Sequence, residues 1–311
     1  MGIRVGLGMV VLLAAALSAC GDEAAVAQAP VASDPVFEAE NRAWRSQRND
    51  ELVAAHGWAS LVGLHPIELK AHYVGSGPGS GIRLAAGPAR LGMVSLQDKR
   101  LYLTPESEAA LSWQDKPVTG RVELHSDRTP EPTLIGFDEG KGQLSAIERG
   151  GRFFLRVRHA DAPTRLDFAG LTYWDADPSW RIRGRFIAHP AGQTLPIVDL
   201  LGFTTATPNP GAVEFERDGK PYRLEILARA DGGWFIPLVD LTSGQGSYPA
   251  GRYLDVEPPQ DGMLWLDFNR AHNPPSAFTM YATCPLPPAQ NRLDLAIPAG
   301  EQAYRKPATQ R

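Results

Sequence analysis

Residues 212–227 read AVEFERDGKPYRLEIL. Ala212 to Arg217 and Tyr222 to Leu227 are each of strand length, and both alternate in part between apolar and polar side chains. Between them stands Asp218-Gly219, a pair that readily adopts the positive φ angles of a two-residue hairpin turn. The segment therefore predicts two antiparallel strands. The same signal recurs on either side. Another strand pair is expected to flank Asp231-Gly232-Gly233, and Met263 to Phe268 follows Asp261-Gly262.

Working toward the N-terminus, the pattern continues in short runs bounded by turn residues. Gly81 to Leu84, Leu101 to Leu103, Gly120 to Leu124 and Arg152 to Val157 are near strand length. The 311 residues include 31 Gly and 27 Pro, too many for long helical bundles and natural for a chain that turns often. No internal repeat is present. One helix is expected at the start of the body: Asp34 caps it, Pro35 suits its first position, and Gly57 is placed to end it. Phe37, Trp44 and Leu52 fall close to one face of that helix, which should pack against the β-body.

The expected fold class is thus mainly β: an N-terminal helix, an antiparallel β-sandwich-like part, and a C-terminal antiparallel β-barrel or sandwich. The spacing of strands leaves no room for crossover helices. Residues 160 to 180 carry three Asp-centred turn signals, which places a boundary between a domain over 36–165 and another over 166–305.

The chain opens MGIRVGLGMVVLLAAALSAC. One positive charge at Arg4, an apolar run from Val5 to Leu17 and the small residues Ser18 and Ala19 describe a signal peptide over 1–19; the run is too short to span a bilayer comfortably. Leu17-Ser18-Ala19-Cys20 resembles a bacterial lipobox, which implies cleavage before Cys20 and acylation of its thiol. Two or three acyl chains would hold the protein on a membrane, at about 0.8 kcal/mol per buried methylene. Residues 20–35 read as a flexible tether. The expected location is the bacterial cell envelope, with the periplasmic face favoured; Asp22 leaves inner and outer membrane both open. With Cys20 acylated, Cys284 is the sole remaining thiol, so no internal disulfide is available and Cys284 reads as a small buried hydrophobe.

With 31 basic and 35 acidic side chains, the net charge of −4 lacks the excess that drives phosphate contacts, so nucleic acid is not expected as a partner. Standard catalytic and nucleotide-binding signatures are missing. The run Gly75 to Gly81 has no following lysine or helix and reads as a strand connection. His65 and His72, seven apart, share a face only in a helix that Pro66 opposes, so neither metal nor cofactor is expected.

Several blocks carry a family resemblance. They are Gly57-Trp58-Ala59-Ser60-Leu61-Val62-Gly63-Leu64, Asp161-Ala162-Pro163, Gly251-Arg252-Tyr253-Leu254, Leu266 to Pro275 (LDFNRAHNPP) and Tyr281 to Pro288 (YATCPLPP). Together they resemble the bacterial family known as domain of unknown function 1684, over most of residues 40 to 305. The resemblance implies no activity. This chain departs from the family pattern at His272, where Tyr is usual, at Ser276, where Cys is usual, and at Ala289-Gln290, where Pro-Glu is usual. A fainter likeness, through Val74-Gly75-Ser76, Ile82-Arg83-Leu84 and Pro117 to Gly120, is to forkhead-associated β-sandwiches, and it implies shape alone.

The main polar constellation is Asp267, Asn269, Arg270, His272 and Asn273, with Tyr248 and Arg252 upstream. As a site, Asp267 and His272 would be catalytic, with His272 titrating near neutrality. Tyr248, Arg252, Asn269, Arg270 and Asn273 would then bind ligand, Arg270 holding a carboxylate or phosphate. As structure, Asp267, Asn269 and Asn273 would satisfy backbone of the proline-rich loop and Arg270 would pair with Asp267. The aromatic residues Tyr173, Trp174, Trp180, Trp234, Trp265 and Phe268 read either as core or as the lining of a ligand cavity. Two functions are open: an envelope lipoprotein binding a small molecule or envelope protein through its C-terminal β-domain, or a hydrolase with His272 as base and Arg270 positioning an anionic group.

Overall fold

Asp218 (φ 53°) and Gly219 (φ 73°) both take the left-handed conformation in the computed structural model. Gly211–Arg217 pairs antiparallel with Lys220–Ala228, from Gly211 opposite Ile226 to Arg217 opposite Lys220. The turn chemistry therefore sets the register. Asp261 (φ 52°) and Gly262 (φ 73°) repeat it, and the next strand, Met263–Asp267, pairs with Arg181–Ala188.

The structure describes residues 1, 2 and 34–306. Cys20 and nearly all of the leader and tether lie outside the described residues. From Pro35 to Val53 the chain is α-helical. Phe37, Asn41 and Leu52 are its buried residues, and Leu52 packs with Ala277 and Phe278. Trp44, expected on the same face, is only half-buried and meets Tyr173 edge-on instead.

The fold is mainly β. In the N-terminal half, a six-stranded sheet runs in the order Leu61–Pro66, Arg152–His159, Gly142–Arg149, Leu134–Phe137, Ser112–Trp113, Lys116–Pro117. A five-stranded sheet runs Ile82–Arg83, Ala71–Gly75, Gly92–Gln97, Arg100–Pro105, Val122–Glu123. One core joins them, with Val94, Leu101 and Leu103 of the second sheet packed with Ile135, Leu144, Leu155 and Val157 of the first. Among these strands pairing is antiparallel except for Ala71–Gly75 with Ile82–Arg83, which is parallel, and Ser126 adds an isolated parallel bridge to Ala146.

In the C-terminal half, the six-stranded sheet is ordered Arg252–Val256, Trp234–Leu238, Lys220–Ala228, Gly211–Arg217, Arg181–Ala188, Met263–Asp267. Its core takes in Trp180, Phe215, Leu254 and Phe268, and also Leu293, Ile297 and Ala299 from the irregular C-terminal segment. Thr194–Val198 and Thr204–Pro208 form a separate two-stranded ribbon.

The two faces of the strand Arg152–His159 meet different surroundings. Side chains alternate across a sheet, so Leu155 and Val157 enter the N-terminal core while Phe154, Arg156 and Arg158 point to the opposite face. Elements of the C-terminal half cover that face: Phe154 meets Phe203, and Arg149 of the neighbouring strand donates to Thr283.

Candidate functional site

The proline-rich segment is anchored by buried polar groups. Arg252 is fully buried; its guanidinium pairs with Asp240 at 2.8 Å and donates to the carbonyls of Ile297 (2.9 Å), Glu301 (3.3 Å) and Ala299. The Glu301 carboxylate accepts from Arg48 Nε at 2.9 Å and from the Asn273 amide at 2.8 Å. Asn273 Nδ2 in turn donates to the Gln302 carbonyl at 2.8 Å. Asn269 bonds both backbone groups of Asp177 and also Asp267 Oδ1. Tyr248 donates to the Ser276 carbonyl at 3.2 Å. In these positions Asp267, Asn269, Asn273, Tyr248 and Arg252 satisfy the fold's own buried donors and acceptors.

Arg270 and His272 do not converge. Arg270 pairs with Asp267 at 3.4 Å and borders a cavity of about 460 Å³, together with Trp44, Arg181, Arg183, Asp255 and Trp265. His272 borders a different cavity of about 670 Å³, and Asp255 reaches both. The aromatic residues divide likewise: Trp180 and Phe268 pack edge-on in the core, whereas Trp265 is exposed on the smaller cavity.

The larger cavity draws its walls from both halves of the chain. Apolar surface comes from Trp58, Ile197, Phe235, Tyr253 and Pro285, and hydroxyls from Thr205, Thr207 and Thr283. Five arginines and four aspartates also border it. Arg149 pairs with Asp127 at 2.8 Å, Arg48 with Glu301 at 2.9 Å, and Arg229 with Asp255. Arg156 differs. It is 8% exposed, its Nε is buried without a partner, and no acceptor or ion pair engages its guanidinium among the described residues. Its nearest aromatic partner is Trp58, with the guanidinium carbon 5.5 Å from the ring centroid; Arg158 lies 5.4 Å from the same ring.

Burial decides the protonation of these groups. Desolvation, followed by the charge of Arg158, lowers Arg156 to about 10, which still leaves it cationic at neutral pH. Desolvation, then the Arg48 charge, pushes His272 down to about 3, so its ring is neutral. The Tyr253 phenol and the Cys284 thiol are pushed up by burial and stay protonated. The cavity thus sets arginine cations and aspartates around a neutral His272, Tyr253 and Cys284.

Arg156, Arg149, Trp58 and Arg229 escape a sequence reading centred on residues 248–273. One signal was available: Arg156 and Arg158 alternate with core residues on a strand of high β-propensity, which marks a second face that is neither plain core nor plain surface.

The fold and this site define a mainly β protein with a polar cavity between two β-halves, braced by a buried arginine. Residues 166–302 match the family described as "Protein of unknown function (DUF1684)", and over these residues the chain belongs to it. The Gly57–Leu64 and Asp161–Pro163 blocks lie N-terminal to the match. Among solved structures, the chain is similar to an uncharacterized protein from gene locus rrnAC0354 of Haloarcula marismortui, solved by solution NMR. Identity is 34%, over 44% of this chain and 78% of that one, with a TM-score of 0.37. No curated protein matches.

Proposed function

We propose that this protein is an envelope lipoprotein held at a membrane surface through lipid on Cys20, and that its body binds a small ligand in the larger cavity. The observation that supports binding is the cavity itself. At about 670 Å³ it is in the size range of small-molecule sites, and it mixes apolar walls with a few directed polar groups. Residues of the family block, His272, Tyr253, Cys284 and Pro285, stand on its wall. The hydrolase reading has less support, because Arg270 borders the other cavity and burial leaves His272 a weak base at neutral pH.

Two measurements test the proposal. Cys20→Ser should move the protein from the membrane fraction to the aqueous one and remove the acyl mass from its N-terminus; an unchanged distribution sinks the anchor. A protein-observed NMR screen of small fragments should find binders that shift the amides of Thr205, Thr207, Phe235 and Tyr253. Thr207→Trp, which fills the cavity, should abolish those shifts. Binders that map elsewhere, or that survive the plug, would remove the cavity from consideration.

A further inference from the structure

Arg156 is an unpaired charge in a place where charges are ordinarily paired. A guanidinium taken out of water without a counter-ion is costly, and buried cations in stable folds have carboxylate or backbone acceptors. Arg252 shows the usual solution in this same chain, with one carboxylate and three carbonyls around it. Arg156 has none among the described residues. It also sits two residues from Arg158 on one face of one strand, so two like charges stand side by side over Trp58.

None of the acidic groups on the cavity wall makes an ion pair with Arg156, although the Asp127 charge acts on it at longer range, and Asp199 and Asp231 bond backbone amides alone. Asp127 holds Arg149 and also accepts from the Glu148 amide, and Asp255 holds Arg229. Asp231 accepts from the Gly233 amide, and Asp199 from the amides of Leu201 and Phe203, with one Asp199 oxygen left without a donor. Glu301 belongs to Arg48 and Asn273. The exposed Arg128, which donates to the Glu148 carbonyl, adds a further positive charge without a carboxylate partner among the described residues.

We infer that the cavity selects small organic anions, and that Arg156, seated against Trp58, receives the ligand's carboxylate or phosphate group. The inference rests on reading this cavity as a ligand site. The planar fork of an arginine suits a two-oxygen grip on such a group, and a ring beneath it keeps the fork flat while contributing a cation–π contact. The aromatic and aliphatic walls at Phe235, Tyr253 and Ile197 then take the ligand's apolar body. The Tyr253 hydroxyl donates to the Pro285 carbonyl at 2.6 Å and His272 Nδ1 to the Arg270 carbonyl at 3.3 Å, so these two groups stay neutral and leave the grip on the anion to Arg156.

The test uses the full chain in detergent micelles and five probes: phenyl phosphate, benzoate, benzyl alcohol, benzylamine and inorganic phosphate. Phenyl phosphate and benzoate should bind and shift the Arg156 Nε–H resonance. Benzyl alcohol and benzylamine should bind more weakly by about tenfold or more, the usual scale of a charge-assisted pair. Arg156→Met should cost about tenfold or more in affinity for both anions while raising the melting temperature of the free protein, since a buried unpaired charge is gone. Arg156→Lys, which keeps the charge but loses the fork, should fall between; it serves if the Met variant fails to fold.

Equal binding of benzyl alcohol or benzylamine, or unaltered phenyl phosphate binding in Arg156→Met, overturns anion selectivity while leaving the cavity as a ligand site. Inorganic phosphate binding as tightly as phenyl phosphate also overturns it, because the apolar walls would then contribute nothing. If none of the five perturbs the amides around the cavity, the ligand-site reading falls with it.

Discussion

Arg252 Nη2 and Asp240 Oδ2 lie 2.8 Å apart with both side chains sealed from solvent. The same guanidinium ties the strand Arg252–Val256 to carbonyls at 297, 299 and 301, so one side chain fastens the irregular C-terminal segment to the C-terminal six-stranded sheet. Removing it strips the counter-ion from a buried carboxylate, whose Oδ1 keeps Thr242 and Ile297 as donors, and leaves Asp240 Oδ2 and the carbonyls of Ala299 and Glu301 without donors. Arg252→Ala should therefore lower the unfolding free energy by about 3–5 kcal/mol, read as a reduced urea midpoint at unchanged slope. Arg252→Lys should recover little, since an ammonium on a single stem cannot span the same acceptors. A variant that keeps its midpoint would contradict the bracing role.

His272 should make stability depend on pH in one direction. Its folded pKa is pushed down to about 3, by burial first and by the Arg48 charge second, against about 6.5 in an unfolded chain. A depressed histidine pKa means that the unfolded state binds the proton more readily. Its contribution is thus complete above about pH 6.5 and is lost as pH falls toward 3. His272→Phe should flatten the loss of stability between pH 7 and 4.5 seen in urea titrations. The ring Cε1–H resonance of the native protein should not move between pH 8 and 5. A midpoint near 6.5 would show a solvated ring.

What the sequence made legible was local. Asp218-Gly219 and Asp261-Gly262 set φ angles within two residues, and both turns formed as read. Pro35 opened the helix for an equally local reason, its fixed φ and missing amide. The ribbon Thr194–Val198 with Thr204–Pro208 was not foreseen, because its proline-bearing strands lack clear alternation. On the helix, periodicity alone put Trp44 inward, whereas Asn41 is buried and bonds the Phe37 carbonyl at 3.0 Å. The cavity was hidden for a deeper reason. Which face of Arg152–His159 meets the proline-rich segment depends on packing between residues more than a hundred positions apart, such as Arg149 and Thr283, and no periodicity reports that.

Glu225 should act on acid stability in the usual carboxylate sense. Burial works to raise its pKa, but hydrogen bonds from His189 (2.7 Å), Asn209 (3.2 Å) and Arg223 (3.2 Å) outweigh it and hold the carboxyl below its ordinary value. A depressed carboxyl stabilises the fold above its unfolded pKa, about 4.3, and that share disappears as pH falls through the lower folded value. Glu225→Gln should be less stable than the parent at pH 7, with the gap closing below about pH 4. A gap that is constant with pH would assign the loss to packing.

Cys284 gives a chemical reading of the cavity wall. The thiol is buried, 6% exposed; burial raises its pKa, while neighbouring Ser276 and Tyr253, and then the Arg156 charge, work the other way. Thiolate is the form that alkylates, so iodoacetamide should modify the folded protein more slowly than the urea-unfolded chain by about tenfold or more at pH 7.5. The folded-state rate should still be rising above about pH 10, where an ordinary thiol has reached its plateau. Arg156→Met removes a cation that favours the thiolate and should slow the reaction further at fixed pH. Mass spectrometry of the tryptic peptide bearing Cys284 tracks each case. A rate midpoint near about pH 8.5 would mean the thiol is solvated and the wall is open at that point, and an unchanged rate in the Met variant would put Arg156 too far from Cys284 to face the same space.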